Sequence, residues 1–208
     1  MGAFESFYAS AWQHPWLLWT AALAGLAFAL TRSGLPPSAR RYCVALTVLS
    51  LVDAWLTSTH VYGVGALEGR AAQLVPLGFV LAGDLRFLLL FAAARPGGGI
   101  APDARALAVG AGLTAIVPVT SQVVLALLPA SAEGPRWLFF VYELLFVGLT
   151  WALLRLHPRA RDVPWLARVG RFVLLYYGLW ATADAILLAT GSDLGFALRV
   201  VTNVLYYG

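Results

Sequence analysis

The sequence predicts an all-α integral membrane protein of seven transmembrane helices in a parallel 3+1+3 internal repeat, N-terminus outside and C-terminus cytoplasmic. Three observations carry that expectation. Apolar residues make up 61% of the 208 and charged residues only 12%, where a soluble domain carries about 25% charged. Apolar runs recur along the chain, most of them long enough to cross roughly 30 Å of hydrocarbon as a helix. Arginines crowd into alternate connections between those runs, as topology requires.

The runs lie at 15–31, 42–62, 71–94, 106–129, 137–154, 169–190 and 194–208. Residues 15–94 form a first three-helix unit, 106–129 a linker helix and 137–208 a second unit. All belong to a single transmembrane domain spanning 1–208. The leading segment MGAFESFYASAWQHPW has no basic n-region, so it does not read as a cleavable signal peptide. Gly2 and Ser6 fit a loose myristoylation pattern, which would add little to a chain with seven spans.

All 14 basic residues are arginine. Arg32, Arg40, Arg41, Arg95, Arg105, Arg155, Arg159, Arg161, Arg168 and Arg171 fall in or beside the first, third and fifth connections. The alternate segments hold Glu5, Glu68, Glu133 and Asp193 against Arg70 and Arg136. This asymmetry places the arginine-rich connections inside and suggests a bacterial inner membrane. An isoelectric point near 9.6 then reflects topology, and nucleic acid is not an expected partner.

Several chemistries are excluded. Without lysine there is no retinal Schiff base, and one cysteine, Cys43, allows neither an intrachain disulfide nor a multi-cysteine centre. His14, His60 and His157 lie on different segments without metal-ligand spacing, so no metal or other cofactor is expected. Neither a nucleophile elbow nor a phosphate loop occurs.

The repeat is visible in three places. AGLAFALTR (24–32) and VGLTWALLR (147–155) align Gly25 with Gly148, Ala29 with Ala152 and Arg32 with Arg155. Asp53 and Asp184 each begin Asp-Ala-x-Leu and reach a threonine six residues on, Thr59 and Thr190. AAQLVPLGFVLAG (71–83) faces FALRVVTNVLYYG (196–208). Two three-helix units separated by one helix share an orientation. That topology resembles the SWEET-type sugar transporters and the PQ-loop proteins, and the resemblance implies transport. Their Pro-Gln dipeptide and intrahelical prolines have no counterpart here.

Ionisable residues at bilayer depth cost about 2.5–3.5 kcal/mol on insertion scales and mark a function or a pair. The sequence places six there: Asp53, Asp84, Arg86, Glu143, Asp184 and Arg199. A helical rise of about 1.5 Å per residue sets Asp184 and Arg199 roughly 8–9 Å below the outer boundary, with Asp53 and Glu143 in the same layer. Spacing of i, i+3/i+4 and i+7 puts Asp53, Thr57 and His60 on one face, Tyr177, Trp180 and Asp184 on a second, and Arg199, Asn203 and Tyr206 on a third. These stripes predict an outward-opening polar cavity that binds substrate or relays protons. Asp184–Arg199 reads equally as a structural ion pair. Asp84, Arg86 and His60 read as structural or secondary, with Arg86 snorkelling inward. Asp53 and Glu143 lack an obvious cation. Thr120, Ser121 and Gln122 line a cavity or bond across helices.

The stretch GLWATADAILLATG, followed by ALRVVTNVLYYG, resembles the closing motif of the YhhN-type lysoplasmalogenases. Asp184 stands at that family's aspartate and Tyr206–Tyr207 at its tyrosine pair, while SLVDAWL, with Asp53, is similar to an earlier helix. The family's Gly-Asp and Ser-Asp are Val-Asp and Ala-Asp here. The resemblance implies hydrolysis of a vinyl-ether lipid, with Asp53 and Asp184 as the catalytic acid and base. The first expectation is a transporter of a small or amphipathic solute, with proton coupling an option. The lipid hydrolase comes second, and a receptor or assembly subunit without turnover third. The expected partners are the bilayer and a small-molecule or lipid substrate, and a homo-oligomer is left open.

Overall fold

The structure, a computed structural model, describes every residue except 32–35, 59, 61–68, 97–98 and 130–133. Arg32, Thr59, Glu68 and Glu133 therefore lie outside the described residues, as does the side chain of Arg70. Among the described residues there is no strand, only an isolated bridge between Ala94 and Ile100. The helices are α1 (Ala3–Tyr8), a π-helical turn (Trp12–Leu17) leading into α2 (Leu18–Thr31), α3 (Pro37–Leu56) and α4 (Gly69–Ala93). There follow α5 (Ala104–Leu127), α6 (Pro135–Leu156), α7 (Pro158–Asp162), α8 (Pro164–Thr190) and α9 (Leu194–Tyr207).

Each predicted apolar run falls on a helix. Among the described residues, four helical segments are long and apolar enough to cross a membrane: Trp12–Thr31, Ala104–Leu127, Arg136–Leu156 and Pro164–Thr190. On that basis this is a membrane protein. Of the other three, α3 carries Arg40, Arg41 and Asp53, α4 carries Asp84 and Arg86, and α9 has 14 residues where a full span takes about 20.

Local chemistry sets the helix ends. Pro37, Pro158 and Pro164 open α3, α7 and α8, where a missing N–H costs nothing because no intrahelical acceptor exists. Asp103 caps α5 by accepting from the Ala106 N–H at 2.7 Å, and its other oxygen pairs with Arg95 at 2.9 Å. The cap bond, then the Arg95 charge, hold its carboxyl below the usual carboxylate range. Gly191, in the left-handed region at φ +63, stops α8 and turns the chain into α9.

One boundary matters for the site. Helix α3 ends at Leu56, six residues short of the expected end at 62, with Thr57 as its C-cap. His60 is therefore off the predicted helical stripe. It is exposed, and its ring bonds the carbonyl of Ala9 at 2.7 Å.

Helix α8 is the centre of the bundle and packs against α6 on one side and α9 on the other. Helix α9 lies against α2 and α1, α2 against α3, and α5 bridges α4 and α6. Phe91, Leu88, Phe146 and Leu166 fill the space between α4, α6 and α8 and are essentially inaccessible. Phe146 stacks on Tyr177 with centroids 4.2 Å apart. Arg159 of α7 donates to the carbonyls of Phe91 and Ala92, tying the arginine-rich connections together at one end of the bundle.

Candidate functional site

Two adjoining cavities lie along the helices, and a third, about 530 Å³, lies at the arginine-rich end beside Arg95, Asp103 and Arg159. The larger of the adjoining pair, about 320 Å³, is built from Tyr8 of α1, the π-helical turn, the end of α3, Phe79 and Val80 of α4, the first half of α6, the middle of α8 and Arg199 to Tyr207 of α9. The smaller, about 240 Å³, is built from Ala22 to Ala29 of α2, Tyr42 to Ser50 of α3, Arg86 to Leu90 of α4, Val169 to Tyr176 of α8 and the end of α9. It faces the arginine-rich end. Among the described residues, Tyr206 and Tyr207 alone line both.

Asp53, Thr57, Glu143, Tyr177, Trp180, Arg199, Asn203 and Tyr206, all sequence candidates, line the larger cavity. The i, i+4, i+7 stripe of α9 faces it as a unit, with Trp180 donating its indole N–H to Asn203 at 3.1 Å. Asp184 is a neighbour of the cavity but does not line it. It is fully buried behind Arg199, which grips both its oxygens at 2.7 Å, and Arg136 adds a third bond at 3.0 Å. Two aspartates facing one substrate are therefore not what the fold presents.

The remaining carboxylates have different company. Asp53, on the wall, accepts from the Tyr207 hydroxyl at 2.8 Å and more weakly from Thr57 at 3.4 Å. Asp84 lies deeper and accepts hydroxyls from both Tyr142 and Tyr177. Glu143, expected to lack a cation, has one after all, since Arg199 stands 3.5 Å from its Oε1. Its Oε2 is buried without a hydrogen-bond partner among the described residues.

Arg86 corrects the snorkelling expectation. It donates to the Tyr206 carbonyl at 2.9 Å, reaches Ser50 at 3.4 Å and stacks its guanidinium 3.6 Å from the Tyr206 ring centroid. The carbonyl at the end of α9 and the electron-rich ring hold the charge inside the bundle, between the two cavities.

Tyr207 and Tyr142, the latter without any sequence signal, also line the larger cavity, as do Tyr8, Gln13 and His14, which spacing did not single out as site residues. They come from the leading segment, which folds across the end of the cavity. Asp193 accepts from the Phe4 and Glu5 N–H groups at 2.9 and 2.8 Å, Arg199 donates to the Tyr8 hydroxyl at 3.1 Å, and Ser58 donates to the His14 carbonyl at 3.1 Å. The one available signal was the polar pair Gln13-His14 just ahead of an apolar run. Among the described residues no cluster of three or more metal-ligating side chains occurs.

No family model matches the chain, and no curated protein or solved structure matches it.

Proposed function

We propose that the chain crosses the membrane seven times and carries a small or amphipathic solute between two faces of the bilayer. The observation that carries this reading is the pair of adjoining cavities, divided by Tyr206 and Tyr207. A binding site closed toward one side and separated from a second chamber by movable side chains is what alternating access requires. The larger cavity falls in the size range of small-molecule sites, about 300–1,000 Å³, and its wall mixes rings with a few charged groups. On the positive-inside assignment the larger cavity is the outer one and the leading segment its lid. The lipid-hydrolase reading needs Asp53 and Asp184 at one substrate, and the arginines that occupy Asp184 weigh against it.

Cysteine accessibility tests this reading. Cys43 lines the smaller cavity, and an Asn203→Cys substitution in a Cys43→Ser background reports on the larger. A membrane-impermeant maleimide is applied to vesicles of each orientation. Transport predicts that each thiol is reached quickly from its own side and slowly, but measurably, from the other. Strictly one-sided labelling of both positions, at every pH and temperature tried, would sink the transporter.

A further inference from the structure

We infer that the larger cavity recognises a monovalent organic ammonium ion, with Glu143 as its counter-charge and the surrounding rings as its walls. The inference deepens the transport reading and rests on it for passage through the membrane, though not for binding.

The first argument is charge. Among the described residues, four acids, Asp53, Asp84, Glu143 and Asp184, and three arginines, Arg86, Arg136 and Arg199, stand around the two cavities and directly behind their walls, with His14, which adds no charge as a neutral imidazole, on the larger one. One negative charge is in excess, and at bilayer depth an unbalanced carboxylate must take up a proton or meet a cation. The hydrogen bonds say which carboxylate that is. Each oxygen of Asp184 has a guanidinium partner, each oxygen of Asp84 a phenol, and the two oxygens of Asp53 a phenol and, more weakly, a hydroxyl. Glu143, 6% exposed, keeps one oxygen without a partner among the described residues and reaches Arg199 only at 3.5 Å.

Helix α8 presents Asp184 and the Tyr177 phenol, α9 presents Arg199, and Glu143's own helix presents Arg136 and Tyr142. Helix α5 carries no titratable residue beyond Arg105. Arg199 and Arg136 are both committed to Asp184, and both phenols to Asp84. Among the described residues, therefore, Glu143 has only the longer Arg199 contact and no partner for its second oxygen.

The walls suit the same class of ligand. Trp180, Tyr206 and Phe139 line the cavity, and the Tyr206 ring already holds the Arg86 guanidinium from the side of the smaller chamber. Aromatic walls with a carboxylate favour ammonium ions through the ring quadrupole. The Gln13 amide nitrogen, 2% exposed, also lacks a partner among the described residues, so an oxygen acceptor on the ligand would complete it. An anion would find Arg199 already gripped by Asp184.

The test uses phenethylammonium, with 2-phenylethanol and phenylacetate as neutral and anionic counterparts, titrated calorimetrically into the full-length protein in mild detergent. The ammonium should bind, and the other two should bind at least about tenfold more weakly if the counter-charge dominates. Because ammonium and proton compete for one carboxylate, affinity should rise with pH, by at most about tenfold per unit for one proton exchanged. Glu143→Gln should weaken ammonium binding and flatten its pH dependence. Equal binding of the alcohol, preference for the anion, or unchanged ammonium affinity in a folded Glu143→Gln protein would overturn the inference. If that variant does not fold, the ligand panel and pH series on the unmodified protein decide. Proteoliposome uptake of the same probes separates the two claims. Ammonium binding without uptake above the protein-free control keeps the inference and removes transport. Uptake of the alcohol without ammonium binding does the reverse.

Discussion

Asp53 and Asp184 begin the same Asp-Ala-x-Leu stretch on two helices, but one meets hydroxyls and the other meets guanidinium groups. Both receive their chief partner from α9: Arg199, near its start, grips Asp184, and Tyr207, at its end, donates to Asp53. Asp184 has both oxygens held by guanidinium groups and lies off the cavity wall, whereas Asp53 stands on it. A costly residue repeated in sequence thus serves two ends. Where the partner is a charge, the aspartate fastens helices; where it is a neutral donor, it remains available to a visitor.

The contrast is broken most sharply by neutralising each aspartate in turn. Asp184→Asn leaves buried Arg199 with only the longer Glu143 contact at 3.5 Å, and breaking a buried pair costs about 3–5 kcal/mol. Asp53→Asn still offers Tyr207 an acceptor, so the loss should be about 0.5–1.5 kcal/mol, the net worth of one hydrogen bond. Thermal unfolding in mild detergent should show the first variant melting far below the second. If the two melt together, the distinction between fastening and available carboxylates is wrong.

A smaller effect is expected between the two chambers. Gly83 of α4 is where Tyr206 rests its hydroxyl, and a Cβ there would stand only 1.7 Å from that oxygen. Gly83→Ala therefore forces Tyr206 out of place, and overpacking of this kind costs about 1–3 kcal/mol. Because Tyr206 divides the cavities and carries Arg86 on its ring, its displacement should open the wall. The measurement is the rate at which an impermeant maleimide, applied from the side of the larger cavity, reaches Cys43. A rate equal to that of the unmodified protein would show that Tyr206 is not the barrier.

How much of this could be read from the sequence follows from the range of each interaction. The helices were legible because a bilayer demands long apolar runs, and the stripe of Arg199, Asn203 and Tyr206 because helical spacing alone puts them on one face. The end of α3 was not, since Asp53, Thr57 and His60 keep helical spacing past Leu56 while the chain turns at Thr57. Asp84 gave no sign of its two tyrosines, which come from α6 and α8. Nor did Asp184 advertise Arg136, 48 residues away. Partners across helices are fixed by tertiary distance, and no periodicity encodes that.

The leading segment is the clearest case of a contact hidden from sequence, and it yields the mildest prediction. Its six-residue α1 is too short to be stable alone, so its position depends on Asp193, whose carboxylate takes two of its first N–H groups. Gly2 lets that carboxylate approach, because a Cβ there would lie 2.2 Å from the Asp193 Cγ. Removing such a capping acceptor costs about 0.5–2 kcal/mol. That loss is local, so Asp193→Ala should leave the melting transition nearly unchanged while residues 3–17 exchange amide hydrogens faster by about one order of magnitude, the factor that 1.4 kcal/mol represents. The effect sharpens the first comparison, since Asp193 holds a neutral backbone as Asp184 holds a charge. If exchange in 3–17 stays at its original rate, the segment is held by the cavity contacts of Tyr8 and His14 and not by its cap.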